Sequence, residues 1–128
     1  MISIVFSIIG TVLLLGVAVM EILLIIGLPL GEFTMGGKYK VLPPMYRAFA
    51  ASSIILQLFG AAMLLQGSGL MNMWFTGTVT KVICYVFAGF FVVNTVMNSI
   101  SPSKKEKRVM TPLAAIEAFC FAITAFSI

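Results

Sequence analysis

The stretch that decides the fold runs from Ile2 to Leu30 and reads ISIVFSIIGTVLLLGVAVMEILLIIGLPL, with Glu21 its only charged residue. A helix needs about 20 mostly apolar residues to cross the hydrocarbon of a bilayer. A secretory leader, by contrast, has an apolar run of roughly 7–15 residues behind a positively charged start. This stretch is much longer and begins without a basic residue. It therefore reads as a retained first membrane span, from about Ile4 to Leu28.

Working outward, three more stretches have the same character: about Tyr46–Gln66, Thr78–Ile100 and Thr111–Ile128. The whole chain is 61% hydrophobic and 9% charged, with mean hydropathy +1.15. Soluble domains average about 45–50% apolar and about 25% charged. No fold of 128 residues hides that much apolar surface from water, so lipid is the expected solvent. The expectation is an all-α membrane protein of one domain, residues 1–128: a four-transmembrane-helix bundle with short loops.

The connections carry the turn residues. Between Leu30 and Pro44 stand Gly31, Gly36, Gly37, Pro43 and Pro44, which predict a compact, ordered turn covering one mouth of the bundle, anchored by Phe33, Met35, Tyr39, Val41 and Leu42. Gly67, Gly69 and Gly77 flank Trp74, an interfacial aromatic. Ser101-Pro102 ends the third span, and Pro112 suits the first turn of the fourth.

Charge gives the orientation. The first and third connections and their flanks hold Lys38, Lys40, Arg47, Lys104, Lys105, Lys107 and Arg108, while the other side holds Lys81. Basic loops stay in the cytoplasm, so both termini are expected to be extracytoplasmic. The lysines would lie among anionic headgroups. Nothing here resembles a nucleic-acid footprint. The expected location is a cell membrane, multi-pass, and the expected partners are the bilayer, further copies or a membrane protein, and a bound lipid or small molecule.

There is no histidine, which removes imidazole bases, Ser-His-Asp arrangements, His-ligated haem and nearly all catalytic zinc sites. Gly36-Gly37-Lys38 lacks the spacing of a phosphate-binding loop. Cys84 and Cys120 read as small buried hydrophobes, with a disulfide in the outer half of the bilayer as the alternative. No cofactor, metal site or catalytic residue is assigned.

Charged groups inside a membrane are costly, and they are the places to look for function. Glu21 and Glu117 qualify. Counting from the presumed helix ends puts both roughly 9–12 Å inside the cytoplasmic boundary. Asn94 falls at a similar depth, Asn98 a turn nearer the mouth, Ser52 and Ser53 alongside, Gln57 deeper and Arg47 at the entrance. The expected site is a polar pocket of Glu21, Glu117, Asn94, Asn98, Ser52 and Arg47, with the two carboxylates facing inward and Asn94 and a serine within reach. The structural alternative is that these groups simply bond helix to helix, with Arg47 neutralising a glutamate. Ala114, Ala118 and Ala122, spaced by four, read as a packing stripe.

Gly27-Leu28-Pro29-Leu30-Gly31-Glu32, Gly36-Gly37-Lys38-Tyr39, Leu42-Pro43-Pro44 and Arg47 form one motif. Asn94 to Pro112, with Met97-Asn98 and Ser101-Pro102-Ser103-Lys104-Lys105-Glu106, forms a second. Together, over about a third of the chain, they resemble a group of small uncharacterised four-helix bacterial membrane proteins. That resemblance implies a bacterial plasma membrane and four helices, and no activity.

The leading functional expectation is binding or transport of a small cationic or lipid-like molecule, with several copies forming any aqueous path. The alternatives are an accessory or immunity protein acting through protein contacts in the membrane, and a lipid-modifying enzyme using the carboxylate pair.

Overall fold

The computed structural model describes residues 2–31 and 37–128, and the described residues are helical or in connections, with no strand. Four helices form the bundle: α1 Ile2–Ile25, α2 Pro44–Gly67, α3 Gly77–Ser99 and α4 Thr111–Ser127. A π-helical turn, Glu106–Met110, leads into α4. All four, the last counted from Glu106, are long and apolar enough to cross a membrane. Their outward side chains suit lipid: Ile55 is 70% exposed, Phe119 65% and Phe126 82%. Water would not tolerate so extensive an apolar surface.

α1 packs on α2 and α4, α3 packs on α4 and α2, and α2 and α4 meet across the diagonal. Small residues set the spacing. A Cβ on Gly10 would lie 2.8 Å from Leu64 and 3.0 Å from Cys120, so α1 sits closer to both neighbours than any larger side chain permits. Gly60 gives the same clearance to Phe87 and Phe121. The rings of Phe87 and Phe91 stack on Phe121 at centroid distances of 4.8 and 5.7 Å. Ala114 is buried in this core, with Ala118 and Ala122 packed against it, as the four-residue stripe predicts.

The helix ends differ from the sequence expectation by more than two residues in two places. α1 stops at Ile25, short of Leu28, because Gly27 adopts φ +103°. Gly27 N–H then donates to Leu24 and Leu28 N–H to Leu23, the paired bonds of a Schellman motif. Gly69 and Leu70 close α2 in the same way onto Gln66 and Leu65. At the other boundary, helix does not begin at Thr111. It is already present through Glu106–Met110. Pro112 lacks an N–H and its ring crowds the carbonyl four residues back, and a wider π turn relieves that crowding without ending the helix.

The two basic connections lie side by side, since a Cβ on Gly37 would meet Ser103 at 2.9 Å. Of the expected lid, Phe33 and Met35 fall outside the described residues. The described part folds back onto the bundle: Gly31 N–H donates to the Lys40 carbonyl at 2.9 Å, Leu42 is buried, and the Tyr39 ring packs at a tilt on Tyr46, centroids 5.1 Å apart. The opposite end gathers the start of α1, the α2–α3 connection and the end of α4. There Ser7 donates to Ser68, and Gly67 lies against Thr124 and Ile128.

Candidate functional site

Glu21 lies on α1 one turn before the helix ends, facing α2. One carboxylate oxygen accepts from Gln57 Nε2 at 2.8 Å and from the Ser53 hydroxyl at 3.2 Å. Ser53 and Gln57 are four residues apart on α2, one above the other on a single face, so both reach the same acceptor. The second oxygen of Glu21 is buried and has no partner, and neither has Gln57 Oε1. Both atoms are acceptors. The cluster is short of a donor.

Beside it is a cavity of about 620 Å³ at the basic end of the bundle. Its polar lining is Glu21, Ser53, Gln57, Asn94, Asn98, Ser101 and Glu106. Its apolar walls include Leu14, Phe87, Phe91 and Ala114, all buried in the core, and also Leu56, Phe90, Met97 and Ile100, all exposed. The cavity therefore runs from the bundle interior to its apolar surface, between α2 and α3. A second cavity of about 230 Å³ shares Glu21, Ser53 and Met110 with the first and is otherwise walled by Met20, Leu24, Leu42, Tyr46, Phe49 and Ala50. Glu21 thus stands between the two.

The structure brings together Glu21, Asn94 and Asn98 from the expected set. Asn98 also donates to the Met110 carbonyl at 3.4 Å, tying α3 to the π turn. Three residues are placed otherwise. Ser52 is exposed and donates to the Ala48 carbonyl of its own helix; Ser53, the next residue, occupies the position facing Glu21. Arg47 donates through Nε to the Leu42 carbonyl at 2.7 Å, which holds the α1–α2 connection against the start of α2. Glu117 is absent from the cavity lining that includes Glu21, and Cys120, one turn on from it, lies against Gly10, about three turns from Glu21 along α1. Because the helix starts before Thr111, Glu117 lies deeper than a count from Thr111 suggests. It is wholly buried beyond the cavity's inner wall, one turn past Ala114, and neither of its oxygens has a hydrogen-bond partner.

The sequence places Gln57 only as a deeper polar residue and assigns Glu106 no role. The spacing of Ser53 and Gln57 carries the signal for the first. For Glu106 the basic cluster around it masks any signal. Among the described residues no group of three or more metal-ligating acidic or cysteine side chains occurs, and both cysteines are buried free thiols.

Comparison with protein-family models, curated proteins and solved structures finds no match.

Proposed function

We propose that the protein is an integral membrane protein that binds an amphipathic organic cation, an alkyl amine in class, in the cytoplasmic half of the bilayer, as part of sequestering or transporting it. The observation that carries this reading is the chemistry of the Glu21 cluster. Its unpartnered atoms, Glu21 Oε2 and Gln57 Oε1, are both acceptors, so the complementary group is a donor, and next to a carboxylate a positively charged one is favoured. The apolar remainder of the ligand has walls to meet in Phe87, Phe90, Phe91 and Met97. A volume of about 620 Å³ lies in the range of small-molecule sites, roughly 300–1,000 Å³. Exposed lining residues on α2 and α3 give such a ligand a way in from the inner leaflet.

The test is calorimetric titration of octylamine into the protein in lipid nanodiscs, with protein-free nanodiscs as the blank. Octylamine should bind, and Glu21→Gln should weaken it at least about tenfold, as expected for loss of a charge-assisted hydrogen bond. Octyltrimethylammonium, which has the charge and no N–H, should bind more weakly than octylamine. Equal octylamine affinity in wild type and a folded Glu21→Gln protein would overturn the reading.

A further inference from the structure

We propose that Glu117 is a second site, distinct from the cavity, that takes up a proton and releases it when a cation occupies the cavity. The coupling rests on the cavity reading above; the proton site itself does not.

Glu117 is 0% exposed and both its oxygens lack a partner. A buried carboxylate without a donor is expensive to leave uncompensated. Among the described residues no cationic side chain is paired with it, so the compensating charge comes from outside, as a metal cation or a proton. A hard metal ion needs about six oxygens or more. Among the described residues no cluster could supply them, and the helical carbonyls around Glu117 are already bonded in the helix. A proton needs one oxygen. It comes from water at one end, forms the O–H bond on Glu117, and returns to water when that bond breaks.

Further unpartnered polar groups lie toward the far end of the bundle. On the inner face of α4, Glu117 is followed seven residues later by Thr124, about 10 Å along the same face. Thr124 is wholly buried with an unpartnered hydroxyl. It packs against Gly67, next to Gln66, whose Nε2 is likewise buried and unpartnered while its Oε1 accepts from Trp74 N–H. In the other direction, Ala114 separates Glu117 from the cavity. Unpartnered polar atoms thus stand at Glu117 and again at Thr124 and Gln66 toward the far end, with Ala114 between Glu117 and the cavity.

The other titratable groups on the packed elements are few. α4 adds Cys120, one turn on, and α1 adds only Glu21. α2 has Tyr46 and Arg47 at the basic end, and α3 has Lys81, Cys84 and Tyr85 toward the other. The π turn adds Glu106, Lys107 and Arg108, so Glu21 and the buried Glu106, both on the cavity wall, are the carboxylates that compete with Glu117 inside the bundle. A cation beside Glu21 repels a proton held at Glu117 across an apolar wall, where charge interactions are weakly screened.

Infrared spectroscopy of the protein in lipid nanodiscs decides the matter through the C=O stretch of protonated carboxyl groups, identified by its shift on deuteration. A band should be present that Glu117→Gln removes, Glu21→Gln leaves, and octylamine diminishes. Its absence from a folded wild-type protein, or its survival in Glu117→Gln, would overturn the proton site. If Glu117→Gln does not fold, Glu117→Asp replaces it: the band must move in frequency, and an unmoved band overturns the assignment. A band that bound octylamine leaves unchanged overturns the coupling. Failure of octylamine to bind at all, seen calorimetrically, removes the cavity reading and the coupling with it, and leaves the proton site to stand or fall on the band.

Discussion

Gln57 donates to Glu21 across 2.8 Å, and the same nitrogen lies 3.3 Å from the Ser53 hydroxyl, so one face of α2 holds the carboxylate of α1. Hydrogen bonds to charged groups are worth about 1.5–3 kcal/mol in water-soluble proteins. Between membrane helices the average is nearer 0.6 kcal/mol, because separated helices find other partners. For helices long and apolar enough to cross a membrane, the membrane figure is the one to apply. Gln57→Leu should lower stability by about 0.6–2 kcal/mol in a detergent-unfolding titration followed by circular dichroism. Ser52→Ala, next to Ser53 but exposed and bonded only to its own helix, should change it little. Equal losses at the two positions would show that the α1–α2 contact does not depend on this cluster.

Two glycines on α1 make opposite predictions. A Cβ on Gly10 would meet Leu64 at 2.8 Å and Cys120 at 3.0 Å, whereas one on Gly16 would meet nothing within 4 Å. Gly10→Val should push α1 away from α2 and α4 and destabilise by about 1–3 kcal/mol, the usual cost of overpacking. Gly16→Ala should be neutral or stabilising by up to about 1 kcal/mol through helix propensity. The same unfolding titration reads both, and a stable Gly10→Val protein would contradict the α1–α4 packing.

The four helices, long and apolar enough to cross a membrane, were legible because long apolar runs such as Ile2–Leu30 are conspicuous in the sequence. The site was legible only in part. Glu21 was found because a charge in a long apolar run is conspicuous, and Asn94 and Asn98 because depth along α3 counts reliably from Ser101-Pro102. Glu117 was misplaced because Pro112 reads equally well as a first-turn proline and as one tolerated behind a π turn, and only the three-dimensional path tells these apart. Choosing between Ser52 and Ser53 requires the rotation of α2 about its axis. Its apolar residues surround it too evenly to reveal that, since lipid and core accept the same side chains.

Orientation can be tested through the adjacency of the two basic connections. Gly37 lies against Ser103, so Lys38 and Lys105 belong to the same end of the bundle. In a background lacking Cys84 and Cys120, cysteines at Lys38 and Lys105 should both resist an impermeant maleimide in intact cells and both react after permeabilisation, as basic loops held in the cytoplasm do. Labelling at both from outside reverses the orientation. Labelling at only one contradicts the fold, because it would place the two connections on different sides.

The π turn before α4 makes the last prediction. Pro112 offers no N–H and its ring would clash with the Arg108 carbonyl in a regular α-helix. The turn Glu106–Met110 is wider, and the Met110 carbonyl takes a hydrogen bond from Asn98 on α3. That geometry brings both Glu106 and Met110 to the cavity wall. Pro112→Ala restores a donor and removes the ring, so the turn is free to tighten into α-helix. Losing one residue from the turn rotates everything before it by about 100° relative to α4. Glu106 and Met110 would then leave the wall, and the Asn98 bond would break. Helix content should be unchanged or slightly raised, while octylamine binding falls several-fold. Pro112→Ala combined with Asn98→Ala should fall no further, since both changes act on the same turn. Octylamine affinity unchanged in a folded Pro112→Ala protein would show that the turn does not shape the cavity, and that Pro112 serves only to admit the helix into the bundle.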